Sequence, residues 1–245
     1  MRPEFSIITI CFNEAKNIRR TCESIASQSR KNIEWIVIDG GSTDGTLDIL
    51  EEFRGSIHHF ISEADHGIYD AMNKGIGLAS GEYLVFMNGG DSFASTEVLE
   101  WIHASPQKDL IYGDIFYDCV DGRIEAYPDK LSNDYMLKKM LPHQATFYHR
   151  QLFEKYGLYD ASYKIAGDYD FFARILKTGE VSHYHINKPL AVFDNSGISS
   201  SSKQRNRRKE ENHRIRMKHF PQYRWTLKGW RQYLRKLLTK TRPKP

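Results

Sequence analysis

Short apolar runs, separated by polar and glycine-rich breaks, dominate the first 92 residues. Phe5-Ser6-Ile7-Ile8-Thr9-Ile10-Cys11, Ile33-Glu34-Trp35-Ile36-Val37-Ile38-Asp39, Ile57 to Ile61 and Glu82 to Met87 are brief and rich in β-branched and aromatic residues. Runs of that kind predict buried strands. Between them the spacing turns helical. Ile18, Cys22, Ile25 and Ala26 share one face, then Leu47, Leu50 and Phe53, then Ile68, Met72, Ile76 and Ala79. Strands alternating with helices predict a parallel, doubly wound α/β sheet. Polar or glycine-rich loops follow Cys11, Asp39 and Met87, and such a sheet opens all three onto its carboxyl edge, where ligands bind.

From about Asp109 the pattern changes. Ile111 to Cys119 and Arg123 to Tyr127 predict a hairpin, and Tyr135 to Met140 a helix. Leu141 to Tyr148 reads as a loop entering a strand. Ala166-Gly167-Asp168-Tyr169-Asp170 opens a helix with Phe171, Phe172, Ile175 and Leu176 on its apolar side. Val181 to Val192 holds one or two strands. Ser196 to Ser202 is a Gly/Ser-rich linker. No internal repeat is visible. The expected organisation is a domain over 1–200, with halves 1–92 and 93–200, and a basic helical tail over 201–245.

Charge sharpens that division. The overall net charge is +4, yet Lys203 to Pro245 holds 16 Lys/Arg against 2 Asp/Glu, leaving the remainder at −10. Tyr223, Leu227, Trp230, Leu234 and Leu237 recur at helical spacing among lysines and arginines. Such a helix suits an anionic membrane surface, through residues 223–238, or else packs on the domain with a solvated basic face. The main domain's negative charge and lack of basic-aromatic stripes argue against nucleic acid as a partner. The apolar runs are too short to cross a bilayer, and the first residues do not form a secretory signal. Three cysteines without metal-type spacing read as reduced thiols of a cytosolic protein.

The loops carry the candidate chemistry. Asp91 ends Asn88-Gly89-Gly90-Asp91 and reads as the ligand of a divalent cation or as the cap of the next turn. Asp39, followed by Gly40 and Gly41, reads as an acceptor for a nucleobase N–H or as a turn cap. Neither Gly-x-Gly-x-x-Gly nor Gly-x-x-x-x-Gly-Lys occurs at these loops.

Four segments together resemble glycosyltransferase family 2. They are Ile-Thr-Ile-Cys-Phe-Asn-Glu from Ile8, Ile-Val-Ile-Asp-Gly-Gly-Ser-Thr-Asp-Gly-Thr from Ile36, Ser-Glu-Ala-Asp-His-Gly-Ile-Tyr-Asp-Ala-Met-Asn-Lys-Gly from Ser62, and Gly-Glu-Tyr-Leu-Val-Phe-Met-Asn-Gly-Gly-Asp from Gly81. The likeness is dense over residues 5 to about 92 and resumes at His143-Gln144 and Gly167-Asp168-Tyr169-Asp170. It is nearest to bacterial surface-polysaccharide members of the colanic-acid type.

The resemblance implies a GT-A fold and inverting transfer from a nucleotide sugar, UDP by family default, and the basic tail would bring the enzyme to a saccharide or lipid-linked acceptor at the inner face of the cell membrane. It implies that Thr9 to Glu14, with Cys11 and Asn13 among them, and Asp39 and Gly41 hold base and ribose. Asp65, Asn73, Lys74, Asn88, Gly89 and Gly90 would line the rest of the donor pocket. Asp91 would hold Mn²⁺ or Mg²⁺ on the diphosphate. Asp168 would be the general base, with Asp170 the second candidate and either able to be a helix cap instead. His143 and Gln144 would lie near phosphate or acceptor; His143 also suits the metal, or a purely structural bond. His183 and His185 read as structural, and His66 has no clear role.

Three departures stand out. Gly89 replaces an acid two residues before Asp91. Met72 stands where many relatives have Arg, and Lys74 could supply that charge unless Asp70 pairs with it. Gly167 precedes Asp168 where many relatives have Glu. These departures leave room for a catalytically impaired nucleotide-sugar-binding protein. A sugar nucleotidyltransferase fits less well, since Cys11-Phe12-Asn13-Glu14 is not a Gly-rich, basic loop.

Overall fold

The computed structural model describes residues 2–118, 122–193 and 204–226. The four expected N-terminal strands form, as β1 (Phe5–Cys11), β2 (Ile33–Asp39), β3 (His59–Ser62) and β4 (Tyr83–Phe86). They pair in parallel in the order β3-β2-β1-β4. The register sets Cys11 beside Asp39 and Asp39 beside Ser62, so their loops leave one edge together.

The sheet continues through β8 (Thr146–His149), β6 (Leu110–Tyr117), β9 (His183–Phe193) and β5 (Ser92–Phe93), with β7 (Arg123–Glu125) beside β6. β8 is antiparallel to both β4 and β6, while β6 and β9 are parallel. Among the described residues, six of the nine strands therefore run in one direction. Val181 to Val192 contributes one strand, and β6 and β7 form the expected hairpin. β5 and two short helices, α4 (Val98–His103) and α6 (Gln151–Tyr156), escaped the periodicity because each is too short to show one.

Strand residues alternate between two apolar layers. Ile8, Ile10, Ile36 and Ile38 face α3 (Ile68–Leu78) and α7 (Gly167–Leu176). Ile7, Cys11, Trp35 and Val37 face α1 (Ile18–Ala26), α2 (Thr46–Glu52) and α4. The helical faces predicted from spacing pack through Ile18, Cys22 and Ile25, through Leu50 and Phe53, and through Ile68, Met72, Ile76 and Ala79, whereas Leu47, expected on the second face, is exposed. Gly75 of α3 lies so close to β1 that a Cβ there would sit 2.4 Å from Ile8 Cγ2. The predicted helix at Tyr135 to Met140 forms as α5 (Asn133–Lys138).

The basic segment is the main surprise. Residues Arg205–His219 form α8, and Ile215, Phe220 and Tyr223 join the same apolar layer as α7. Tyr223 is buried in a short 3₁₀ turn, Pro221–Trp225, rather than beginning a membrane-facing helix. The rest of the predicted amphipathic stretch, 227–238, lies outside the described residues, as do the linker and Cys119. Among the described residues, no helix is long and apolar enough to cross a membrane. Cys11 and Cys22 are buried free thiols, and burial raises both above the usual thiol range, Cys22 to about 12.

Candidate active site

Three loops from the parallel half build one wall of the site. Asn13 takes a left-handed backbone (φ 53°), uncommon outside glycine. Its amide donates to Ser42 Oγ at 2.8 Å, and its side-chain oxygen accepts Thr43 N–H at 2.9 Å. The first loop is thereby tied to the second. Asp39 organises the second loop from beneath. Its carboxylate accepts Gly41 and Ser42 amides at 3.0 and 2.9 Å, the Ser62 hydroxyl at 2.7 Å and the Ser42 hydroxyl. It is fully buried.

Asp39 thus organises the loop on which its expected contact with a base would be made. Cys11 sits behind it, its thiol 3.6 Å from Asp39 Oδ1. Thr9 is also removed from the rim, because its hydroxyl accepts the buried Trp35 indole N–H at 3.0 Å. Phe12, within the predicted segment, is instead the exposed group, at 55 %. Its ring stands over Gly40, where an added Cβ would meet Phe12 Cδ2 at 3.3 Å and Asp65 Oδ2 at 2.7 Å. The missing side chain at 40 admits both groups. Asp65 also accepts the Gly67 amide at 2.7 Å. Phe12, Gly40 and Asp65 thus form an aromatic face beside a carboxylate, a combination suited to a planar ring bearing an N–H.

The second wall begins at the end of β4. Thr21, buried in α1, accepts Gly90 N–H at 3.0 Å and donates to the Asp91 carbonyl at 2.6 Å, pinning the Asn88–Asp91 loop. Arg20 donates to the Gly90 carbonyl. A Cβ at Gly89 would lie 3.0 Å from Glu14 Cγ and 3.2 Å from Cys11 Cβ. The space an acid would need at 89 is therefore bordered by Glu14.

His143 joins this loop to α7. Its Nε2 is 3.0 Å from Asn88 Nδ2 and 3.9 Å from Asp91 Oδ2, and its Nδ1 is 3.5 Å from Asp168 Oδ2. One imidazole spans the gap between Asp91 and Asp168. Burial pushes the imidazole down, but Asp168 and then Asp91 outweigh that and leave it above its ordinary range. Tyr69 donates its hydroxyl to Asp168 Oδ1 at 3.0 Å. The Tyr69 ring also explains Gly167, since a Cβ there would meet it at 2.8 Å. Burial, with the neighbouring Asp168 charge, holds the Tyr69 phenol well above its usual range and keeps it a donor. Gln144 is buried on the turn that carries His143.

Three expected residues face elsewhere. The Asn73 amide binds the Tyr159 backbone in both directions, at 2.9 and 3.0 Å, and so fixes a loop rather than lining a donor pocket. Lys74 pairs with Glu63 at 2.7 Å and Asp70 at 3.6 Å. Met72 is buried in the apolar layer with Ile8 and Ile36. Asp170 is fully buried beneath α8, bound to His219 at 2.9 Å, Lys218 at 3.1 Å and Arg174 at 3.3 Å. That corrects its reading as an acceptor-side base. Among the expected structural histidines, His185 is held between Asp114 and Asp129 at 3.0 and 2.8 Å. A concavity of about 520 Å³ lined by Asp109, Gln151 and Glu180 lies at the opposite sheet edge and includes none of these site residues.

A resident cation can be tested against these donors. Among the described residues, no three His, Cys, Asp or Glu side chains converge as a protein-only metal cage. Asp91 and His143 do approach each other, and the buried Asn88 Oδ1 has no hydrogen-bond partner. A few donors with an unsatisfied oxygen fit Mg²⁺ or Mn²⁺, which takes its remaining ligands from phosphate and water.

A mixed, mostly parallel sheet whose loops gather at its carboxyl edge is a fold of GT-A type. The chain belongs to glycosyl transferase family 2, whose sequence profile matches residues 6–167. It is a glycosyltransferase. It is 32 % identical over 207 residues to a PGL/p-HBAD biosynthesis glycosyltransferase of Mycobacterium bovis, covering 82 % of this chain and 80 % of that one. An uncharacterized glycosyltransferase of Mycobacterium tuberculosis is 35 % identical over 208 residues, covering 81 % and 78 %.

Among solved structures, Staphylococcus aureus TarS 1-349 with UDP-GlcNAc superposes with a TM-score of 0.68 at 21 % identity, over 81 % of this chain and 61 % of that one. The mannosyltransferase PcManGT of Pyrobaculum calidifontis, with GDP-Man and Mn²⁺, gives 0.66 at 19 %, over 89 % and 64 %. The chain thus spans about three fifths of these two structures, and the likeness at such identity is one of fold.

Proposed function

We propose that the protein is an inverting glycosyltransferase that moves a sugar from a UDP-sugar to a hydroxyl of a saccharide or lipid-linked saccharide, in cell-surface polysaccharide synthesis at the cytoplasmic membrane face. The observation that carries this reading is the single His143 imidazole between Asp91 and Asp168. It sets the Asp91 and Asp168 carboxylates on either side of one ring, which supports reading the first as a cation ligand and the second as a proton acceptor.

In this reading Phe12 stacks on the base and Asp65 accepts its ring N–H. Asp91, Asn88 Oδ1 and His143 hold the divalent cation, which neutralises charge on the departing diphosphate. Asp168 takes the proton from the acceptor hydroxyl as that oxygen attacks the anomeric carbon. The Tyr69 hydroxyl and His143 hold the Asp168 carboxylate in orientation. Inversion follows from a single displacement, since Asp168 acts on the acceptor and no covalent sugar is formed.

UDP and the acceptor class rest on kinship. A structural neighbour is described with UDP-GlcNAc, and a relative is named for PGL/p-HBAD biosynthesis. A titration calorimetry screen of UDP, GDP and dTDP, with and without Mn²⁺, tests the donor. UDP binding strengthened by Mn²⁺ and weakened by Asp91→Asn supports it; metal-independent binding, or preference for another nucleotide, overturns it.

A further inference from the structure

We propose that Glu211, on α8 and beyond the family-matched segment, is a positioning residue for Asp168. The proposal rests on the reading of Asp168 as the base. Glu211 is 8 % exposed, and its carboxylate accepts three consecutive backbone amides. Oε1 accepts Lys164 N–H at 3.0 Å; Oε2 accepts Ile165 and Ala166 N–H, each at 2.9 Å. Ala166 is the N-cap of α7, two residues before Asp168.

Three neighbouring amides in a tight turn point the same way and have no strand or helix to join. A single buried carboxylate satisfies all of them with charge-assisted bonds, and so fixes the turn's path. That path sets where α7 starts. The same turn reaches the donor wall, because Lys164 Nζ donates to the His66 carbonyl at 2.7 Å.

α8 also grips the other flank of Asp168. Lys218 and His219 hold Asp170, and Arg216 Nε donates to the Tyr169 hydroxyl at 3.2 Å while that hydroxyl donates to the Met136 carbonyl at 2.6 Å. Asp168 lies between two anchored stretches, 164–166 and 169–170. Its own carboxylate accepts the Tyr169 N–H at 2.8 Å and otherwise meets Tyr69 and His143. Displacing a reacting group by about 1 Å is enough to cost on the order of 100-fold in rate. A glutamine at 211 keeps one acceptor oxygen and turns an amide N–H₂ towards the turn, so it loosens the path without emptying the site.

The test uses the full chain, Mn²⁺ and UDP-GlcNAc, following UDP release with water as acceptor. Wild type is compared with Glu211→Gln, Asp168→Asn and Glu210→Gln, whose exposed side chain is a neighbouring control. Each is also measured for UDP affinity and for hydrogen exchange. The expected result for Glu211→Gln is a kcat lowered about tenfold, with KM and UDP affinity within about twofold of wild type. Exchange should accelerate at residues 164–168 alone, and Glu210→Gln should match wild type. Wild-type kcat in Glu211→Gln overturns the proposal. So does a loss of kcat and UDP affinity together with faster exchange throughout, which marks a merely structural role. If wild type releases no UDP the UDP-sugar reading fails, and if Asp168→Asn keeps the wild-type rate the assignment of Asp168 fails; in either case the proposal falls with it.

Discussion

The parallel half of the sheet and the half beyond residue 92 are held together by different means. In the first, Ile7, Ile8, Ile36, Val37 and Val85 are fully buried, and helices lie directly on them. In the second, much of the ordering comes from polar and charged side chains. Around α7, Asp170 binds Arg174, Lys218 and His219 and Glu211 accepts three amides, while on β9 His185 bridges two carboxylates. Apolar packing is non-directional and tolerates small shifts, whereas a buried ion has to meet its partners at fixed distances. In the proposed reading the donor loops stand on the apolar half, tied there by the Asp39 carboxylate, and the proton acceptor stands on the half richer in ion pairs.

Four substitutions and one titration test that contrast. The largest effect is expected from Asp168→Asn, which should lower sugar transfer about 1,000-fold, measured as kcat, and leave UDP affinity intact because the donor wall belongs to the other half. Asp170→Asn should leave Arg174, Lys218 and the buried His219 without their shared carboxylate and destabilise the fold by about 3 kcal/mol in urea titrations, although it sits only two residues away. Acid should act on the same contact. Burial raises the Asp170 carboxyl, but His219 and Lys218 outweigh this and bring it from 3.8 to about 2. A lowered folded value means stabilisation that is full above about pH 4 and lost as the pH falls through about 2. Unfolding midpoints read at pH 5, 3 and 2 should therefore drop for wild type and far less for Asp170→Asn.

In the parallel half, Gly75→Ala should cost about 1–2 kcal/mol through the Ile8 clash, with no dependence on salt or acid. A cost that varies with pH would undo the contrast. The smallest effect is expected at Lys74, whose partners are both surface acids. Lys74→Ala should change UDP affinity less than about twofold, since exposed pairs contribute little. A tenfold loss would restore Lys74 to the donor wall.

The same division governs what could be read from the chain. Alternating apolar runs announced β1, β2 and β4 and the faces of α1 and α3, because burial on a regular element leaves a period. The convergence of their loops followed from topology alone. No such period announced α8: its packed stripe is Glu211, His213, Ile215 and His219, three of them polar, so it reads as a solvated basic helix. Tyr69 stood inside a quoted motif, but its bond to Asp168 spans 99 residues and has no local signature. Asp39 and Asn73 were correctly marked as special, yet their side chains hold backbone, and sequence does not distinguish a carboxylate that shapes a loop from one that meets a ligand. Gly89 and Gly167 looked like losses of acid. The neighbouring Glu14 and Tyr69 side chains explain them as clearances.

The burial of Ile215, Phe220 and Tyr223 bears on how this enzyme can be trimmed. Cutting at the Gly/Ser-rich boundary near residue 200, where composition invites it, would strip apolar cover from α7 and expose a sticky surface. A shortened version intended for crystals or assays has to keep Ile215, Phe220 and Tyr223.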